Sequence, residues 1–176
     1  MMAVTGDVEA IEREVKALRG VQVANHNSQT QVVVAGSKDD IKNAENVLKA
    51  KGFKVVPLSV AAAFHTSLVG HAQKPFAQAI RGAAFQTPTI PVYSNATGKP
   101  YPTAPTAIQA ILEDHILNPV LFRDEIENIY AAGKSEGVTN FVSYDADKIH
   151  GSGGNAVTAV IIPRQPAQAI LRKNNH

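Results

Sequence analysis

The chain has 176 residues, a formal net charge of +2, 44% hydrophobic and 18% charged residues, and neither cysteine nor tryptophan. That length suits one domain with a tail or two small lobes, and the lack of cysteine excludes a disulfide framework, a thiol nucleophile and a zinc–thiolate site while fitting a reducing compartment. Charged residues fall below the roughly 25% of average usage, which argues against a solvated polymer, and an isoelectric point near 8.9 rests on two excess positive charges, too few to imply nucleic acid.

The start, Met1-Met2-Ala3-Val4-Thr5-Gly6-Asp7, lacks the basic residues and apolar stretch of a secretory signal, and no apolar run approaches the roughly 18 residues that cross a bilayer. The expectation is a cytoplasmic protein without a membrane span. Met1 to Thr5 reads as a short strand, and Val8, Ile11, Val15 and Leu18 form one stripe of a helix that ends at Gly20. Val21 to Asn25 alternates as a strand, Asn25 to Ser28 is turn-like, and Gln31 to Ala35 is a β-branched strand closed by Gly36. Ser37 offers an N-cap with acids in the turn that follows, the helix stripe is Ile41, Ala44, Val47 and Leu48, and Phe53 to Leu58 alternates into a fourth strand after Gly52. This βαββαβ order predicts the split-βαβ, ferredoxin-like arrangement: an antiparallel sheet with both helices on one face.

Beyond Ser59 the residues become small as far as Phe64-His65-Thr66-Ser67. Leu68, Ala72, Phe76, Ala79 and Ile80 then give a helical stripe reaching toward Phe85 and bent at Pro75. Ile90 to Ser94 reads as a strand, Asn95 to Pro100 as a turn, and Ile108 to Ile116 as a helix face interrupted at Asn118-Pro119. Phe122, Ile126, Ile129 and Tyr130 resume helical spacing up to Gly133, Phe141 to Tyr144 reads as a last strand, Ala156 to Ile162 as a hairpin arm, and the remainder as a tail.

Among chemistry-bearing residues His65 stands out, because it sits where an extended apolar segment meets a helix start, a junction that presents side chains into clefts. The competing reading is a half-buried structural or helix-capping histidine. His65 and His71, six apart, would point about 240° apart on a helix, and no acid completes a set, so a metal site is rejected. His26, His115, His150 and His176 read as surface histidines. A histidine base needs a hydroxyl partner, and a serine nucleophile sits in a strand-turn-helix elbow of pattern Gly-x-Ser-x-Gly. No serine here is read in that frame; Ser152, within Gly151-Ser152-Gly153-Gly154, has the glycines without the strand. The same glycines lack the Lys-Ser/Thr of a phosphate loop, and Gln31 to Ala35 carries none of the stacking aromatics of an RNA-binding sheet.

Three segments carry a resemblance: Ala24-Asn-His-Asn-Ser-Gln-Thr-Gln-Val-Val-Val-Ala-Gly36, Leu58-Ser-Val-Ala-Ala-Ala-Phe-His-Thr-Ser-Leu-Val69 and Ile90-Pro-Val-Tyr-Ser-Asn-Ala-Thr-Gly98. Together, over about residues 1 to 142, they resemble the malonyl-CoA:acyl carrier protein acyltransferases, nearest to the acyltransferase domains of polyketide synthases and polyunsaturated fatty acid synthases. The resemblance implies an α/β protein: a ferredoxin-like small subdomain over residues 1–58, the C-terminal part of an α/β-hydrolase-like large subdomain over 59–144, and an unassigned extension over 145–176. It implies that malonyl passes from CoA to a serine and then to the phosphopantetheine thiol of a carrier protein, without cofactor or metal.

In that scheme His65 matches the catalytic histidine, oriented by a backbone carbonyl expected near Val120-Leu121. Phe64 matches the bulky residue that selects malonyl over methylmalonyl. Asn27, Gln31 and Leu121 match the substrate cleft, although read from the residues alone Asn27 and Gln31 are as well explained as turn and strand. The family's Gly-His-Ser-x-Gly elbow and carboxylate-binding arginine match nothing in this chain, so the implied partners are malonyl-CoA, the carrier protein, and either the missing N-terminal half or a second copy. The expectation is an acyltransferase portion that is inactive alone. Two other readings stand beside it: a non-catalytic binding or complementation module, and a ferredoxin-like regulatory domain for a small ligand.

Overall fold

The computed structural model describes residues 1–135 and 137, together with the backbone of 141–145 and 157–161. The chain divides into two compact units, Met1–Glu125 and Ile126–His176. The first begins β1 (Met2–Thr5), α1 (Val8–Ala17), β2 (Val21–Ser28), β3 (Gln31–Gly36), α2 (Lys38–Ala50) and β4 (Lys54–Pro57). These strands form one antiparallel sheet of order β2-β3-β1-β4.

Local chemistry fixes the helix starts. Asp7 accepts from Ala10 N at 2.7 Å, and Ser37 Oγ accepts from Asp40 N at 3.2 Å, so each cap satisfies a donor that the first helical turn leaves free. Gly20 closes α1 at φ +73, where a Cβ would collide with the Asp40 carboxylate. Strand alternation then sets the core. Met2 and Val4 of β1 lie opposite Val34 and Val32 of β3, and with Val55 of β4 they meet Val8, Ile11 and Val15 of α1 and Ala44 and Leu48 of α2. Both helices therefore cover the same face of the sheet. Val33 and Ala35, on the opposite face of β3, are buried as well, so the central strand is covered on both sides.

Strand β2 runs through Ser28, three residues past its expected end, because register shifts between Val23 and Asn25 and between His26 and Ser28 absorb the turn-like residues without breaking the pairing. The expected strand Ile90 to Ser94 does not form. Only Tyr93 makes an isolated bridge, to Pro100, and Ile90 is 67% exposed. Pro88 and Pro91 lack backbone N–H groups, and the pairing is confined to the short turn to residues 99–101, with Ser94 N donating to Lys99 O at 2.9 Å and Tyr101 N to Val92 O at 2.7 Å, so β-branched composition alone does not make a full strand there.

A short 3₁₀ turn, Ser67–Val69, leads into α3 (Gly70–Gly82), which continues through Pro75 and stops at Gly82, short of Phe85. It packs along α4 (Pro105–His115), and Arg81 grips the Glu113 carboxylate with two bonds of 2.8 and 2.6 Å. Helix α5 (Phe122–Ser135) follows, and β5 (Phe141–Asp145) pairs antiparallel with β6 (Val157–Ile161). No helix among the described residues is long and apolar enough to cross a membrane. The expected glycine turn at residues 150–154 and the tail after 162 lie outside the described residues.

Leu48 is fully buried between α2 and the sheet. Leu48→Ala is expected to lower the unfolding free energy by about 2–5 kcal/mol in urea titrations followed by circular dichroism.

Candidate functional site

Helix α4 ends with carbonyls that lack intrahelical partners, and the segment carrying His65 supplies them. The His65 backbone N–H donates to Ile116 O at 3.1 Å, and its Nδ1 lies 3.2 Å from His115 O and 3.1 Å from Asn118 O. A carbonyl only accepts, so these contacts require a proton on Nδ1, and in the neutral ring Nε2 is then the atom with the free lone pair. Such an imidazole is a proton acceptor of fixed tautomer. The ring is half-buried, not sealed in the interior.

The backbone of His65 has φ +62, the left-handed region that costs a non-glycine residue of order 1–3 kcal/mol. Its neighbours hold it there. Buried Thr66 donates from Oγ1 to Ala63 O at 2.7 Å and accepts from Leu68 N at 3.2 Å, closing the loop on one side. On the other side Gln22 of β2 donates from Nε2 to His65 O at 3.3 Å. Gln22 pairs with Ala35 across the sheet, so it rises from the sheet face opposite the helices.

The orienting carbonyls are those of His115 and Asn118, which corrects the expectation of Val120-Leu121. Val120 is occupied elsewhere: it bridges parallel to Asn25, receiving His26 N on its carbonyl at 2.8 Å and donating to Ala24 O at 2.9 Å. Leu121 donates to Asn95 O at 2.7 Å and is half-buried. The helix end therefore lies before the proline, and the residues after it extend the β2 edge. Asn27 Nδ2 donates to Gln31 Oε1 at 3.0 Å across the far end of the β2–β3 hairpin, about 16 Å along the strand from Gln22 at 3.3 Å per residue. Among the described residues no hydrogen bond joins that pair to His65. Phe64, beside His65, is 43% exposed.

Two of the histidines expected at the surface are not there. The ring of His115 lies 5.0 Å from that of His65, and its Nε2 is buried without a hydrogen-bond partner among the described residues. Burial, and after it the charge of His65, pushes the His115 pKa down. His26 is half-buried, with Nδ1 3.4 Å from Glu12. His150 and His176 lie outside the described residues. Helical spacing does place His115 on one face with Ile108, Ile111 and Leu112, but it does not say which loop meets that face.

One stretch matches the elbow pattern in letters alone: Gly133-Lys134-Ser135-Glu136-Gly137 spells Gly-x-Ser-x-Gly. Ser135 is the last residue of α5 and donates from Oγ to Ala132 O at 2.6 Å, a helix end instead of a turn between strand and helix. No serine hydroxyl hydrogen-bonds to His65 among the described residues.

A histidine whose folded pKa is depressed contributes stability that is present above its unfolded value and lost as pH falls through the folded one. Unfolding free energy is therefore expected to fall as pH drops from just above 6.5, the ordinary value. In His115→Gln that part of the decline is expected to disappear, as measured by urea unfolding at a series of pH values.

Residues 1–141 match the acyl transferase domain family. A polyketide biosynthesis malonyl CoA-acyl carrier protein transacylase of Bacillus velezensis, BaeC, is 34% identical over 123 residues, covering 68% of this chain and 41% of the relative. A polyunsaturated fatty acid synthase polypeptide from a Thraustochytrium species is 32% identical over 115 residues, covering 64% of this chain and 4% of the relative. Among solved structures, a malonyl-transacylase in complex with its type II polyketide synthase acyl-carrier protein superposes with a TM-score of 0.69 at 33% identity, over 75% of this chain and 44% of that one. The chain spans less than half the length of the curated relatives it matches first. It belongs to the acyl transferase domain family, of which it covers part of the domain, with malonyl-CoA:acyl carrier protein transacylases and polyketide synthase acyltransferases as its relatives.

Proposed function

We propose that this chain is the C-terminal part of an acyltransferase domain that moves malonyl from CoA to an acyl carrier protein in polyketide or polyunsaturated fatty acid synthesis, with His65 as proton acceptor and donor. The observation that carries the reading is the Nδ1 of His65 held on two carbonyls at 3.1 and 3.2 Å, which leaves Nε2 as the basic atom. In the first half-reaction Nε2 takes the proton of a serine hydroxyl as its oxygen bonds to the malonyl thioester carbon. The carbon–sulfur bond then breaks, and Nε2–H returns the proton to the CoA thiolate. In the second, Nε2 takes the proton of the phosphopantetheine thiol, sulfur displaces the serine oxygen, and the proton goes back to that oxygen. The thioester already activates the acyl group, so the scheme calls for no cofactor or metal.

The serine of this scheme comes from polypeptide outside the 176 residues, consistent with the shorter span relative to BaeC and with the helix-end setting of Ser135. Exposed Leu68 and Ile90, 52% and 67% accessible, support a surface covered by that polypeptide or by a second copy. Residues 1–58 are read as the ferredoxin-like small subdomain, supported by the order β2-β3-β1-β4 with both helices on one face. Residues 59–144 are read as part of the hydrolase-like large subdomain and 145–176 as an extension, in a protein of the cytoplasm. The segment from Asn118 to Leu121 runs along β2 from the His65 ring toward Asn27, so Asn27, Gln31 and Leu121 are assigned to the cleft that takes the thioester arm.

Transfer of label from malonyl-CoA to holo carrier protein tests this. The chain alone is expected to give none, and turnover near that of a complete domain would overturn the reading. Joined to a polypeptide carrying the family's Gly-His-Ser-x-Gly elbow, it is expected to transfer, and His65→Ala in that assembly to lose about a millionfold in rate. Phe64→Ser there is expected to erode the preference for malonyl over methylmalonyl by about 10- to 200-fold, the range one methyl group commands in an apolar pocket, read as the ratio of kcat/KM values.

A further inference from the structure

His115 serves the site through its carbonyl, yet its side chain is a titratable ring to which the scheme above gives no task. That ring sits 5.0 Å from the His65 ring at an interplanar angle of 41°, and its Nε2 is buried without a hydrogen-bond partner among the described residues. A residue that contributes both a carbonyl to Nδ1 and a ring against the same imidazole controls two degrees of freedom at once: which nitrogen carries the proton, and how far the ring rotates. Such a neighbour must also stay uncharged. A base becomes a cation when it accepts a proton, and a second positive charge about 5 Å away in a half-buried site would oppose that step strongly.

We propose that the His115 imidazole is a positioning residue for His65, an uncharged ring that packs tilted against the His65 imidazole and holds its Nδ1 on the carbonyls of His115 and Asn118. This rests on the reading of His65 as the proton acceptor, but it concerns ring orientation and titration, which are measurable without any transfer chemistry. The surroundings agree with a neutral His115. Helix α3, packed on α4, carries His71, Lys74 and Arg81, and α4 itself carries Glu113 and Asp114. Arg81 is already bound to Glu113, and the opposition to a proton on His115 comes from its burial and from His65. The lowered pKa of His115 favours its uncharged ring beside His65. The two carbonyls accept from Nδ1, and the ring packed beside them limits rotation of the imidazole away from them.

The test is nitrogen-15 NMR of the histidine rings in the full 176-residue chain through the histidine titration range, with the amide spectrum of each variant confirming a folded chain. In the wild type and in His115→Phe, which keeps a flat ring, His65 is expected to be almost wholly in the Nδ1–H form. In His115→Ala the Nε2–H form of His65 is expected to rise severalfold. In His65→Asn the titration midpoint of His115 is expected to move up toward the ordinary histidine value, since the opposing charge is gone. Equal tautomer populations of His65 in His115→Ala and the wild type would overturn the proposal, and so would a His115 midpoint unmoved by His65→Asn. If His115→Ala does not fold, His115→Phe and His65→Asn decide it. A failure of His65→Ala to slow transfer would strike the catalytic reading and leave these ring measurements unchanged, so the two are separable.

Discussion

The C-terminal carbonyls of α4 and the donors of His65 are the constraint on which the site depends. A helix that ends beneath other chain must find donors for its last carbonyls, and leaving such a group buried and unpaired costs about 1–3 kcal/mol. Here one residue supplies a backbone N–H to Ile116 and a ring N–H to His115 and Asn118. The left-handed backbone of His65 costs of order 1–3 kcal/mol, a sum of the same size as the pairing it makes possible, so strain and capping offset one another. The reading of His65 as a helix-capping histidine and its reading as a base are therefore not rivals. Capping fixes the tautomer, and the tautomer makes Nε2 basic.

The sheet positions this helix end, although it contributes no side chain to proton transfer. Val120 makes two bonds to β2, Leu121 is held by Asn95, and Gln22 of β2 reaches the carbonyl of His65 itself. Asn118 thus lies between a helix and a strand edge that are both anchored. Gly98, at φ +65, lets the loop from Asn95 come within 3.0 Å of Asp124 Cβ from the position its own Cβ would take, so the support of Leu121 depends on a residue without a side chain.

The first six elements are legible because each announces itself locally: alternation for β2 and β4, a short apolar or β-branched run for β1 and β3, spacings of three and four for the helices, Ser37 at the start of α2, Gly20 and Gly52 at the helix ends. Ile90 to Ser94 misleads because a strand is defined by a partner, which composition does not name. His65 emerges from its junction and from the resemblance, whereas Gln22, Thr66 and His115 do not, since each acts by touching a residue distant in sequence or by clamping a turn. The orienting carbonyl falls a few residues earlier than expected for a related reason. The pattern locates the end of α4 to within one turn, and one turn is the difference between carbonyls that face the loop and carbonyls that join β2.

What fixes that last turn is Asn118-Pro119. Proline disfavours the α conformation for the residue before it, so Asn118 leaves the helix and its carbonyl is released from the helical direction, free to meet His65 at 3.1 Å. The Asn118 side chain bonds back to Asp114 O at 2.7 Å, beside the bond that carbonyl accepts from Leu117 N at 3.1 Å, fixing the residue as it departs. Proline itself has no N–H, so the next donor along the chain is that of Val120, which is the one that engages β2. A two-residue signal therefore ends a helix, turns one acceptor toward the imidazole and hands the following residue to the sheet. The placement of the carbonyls that meet His65 is set by this interruption of a helix.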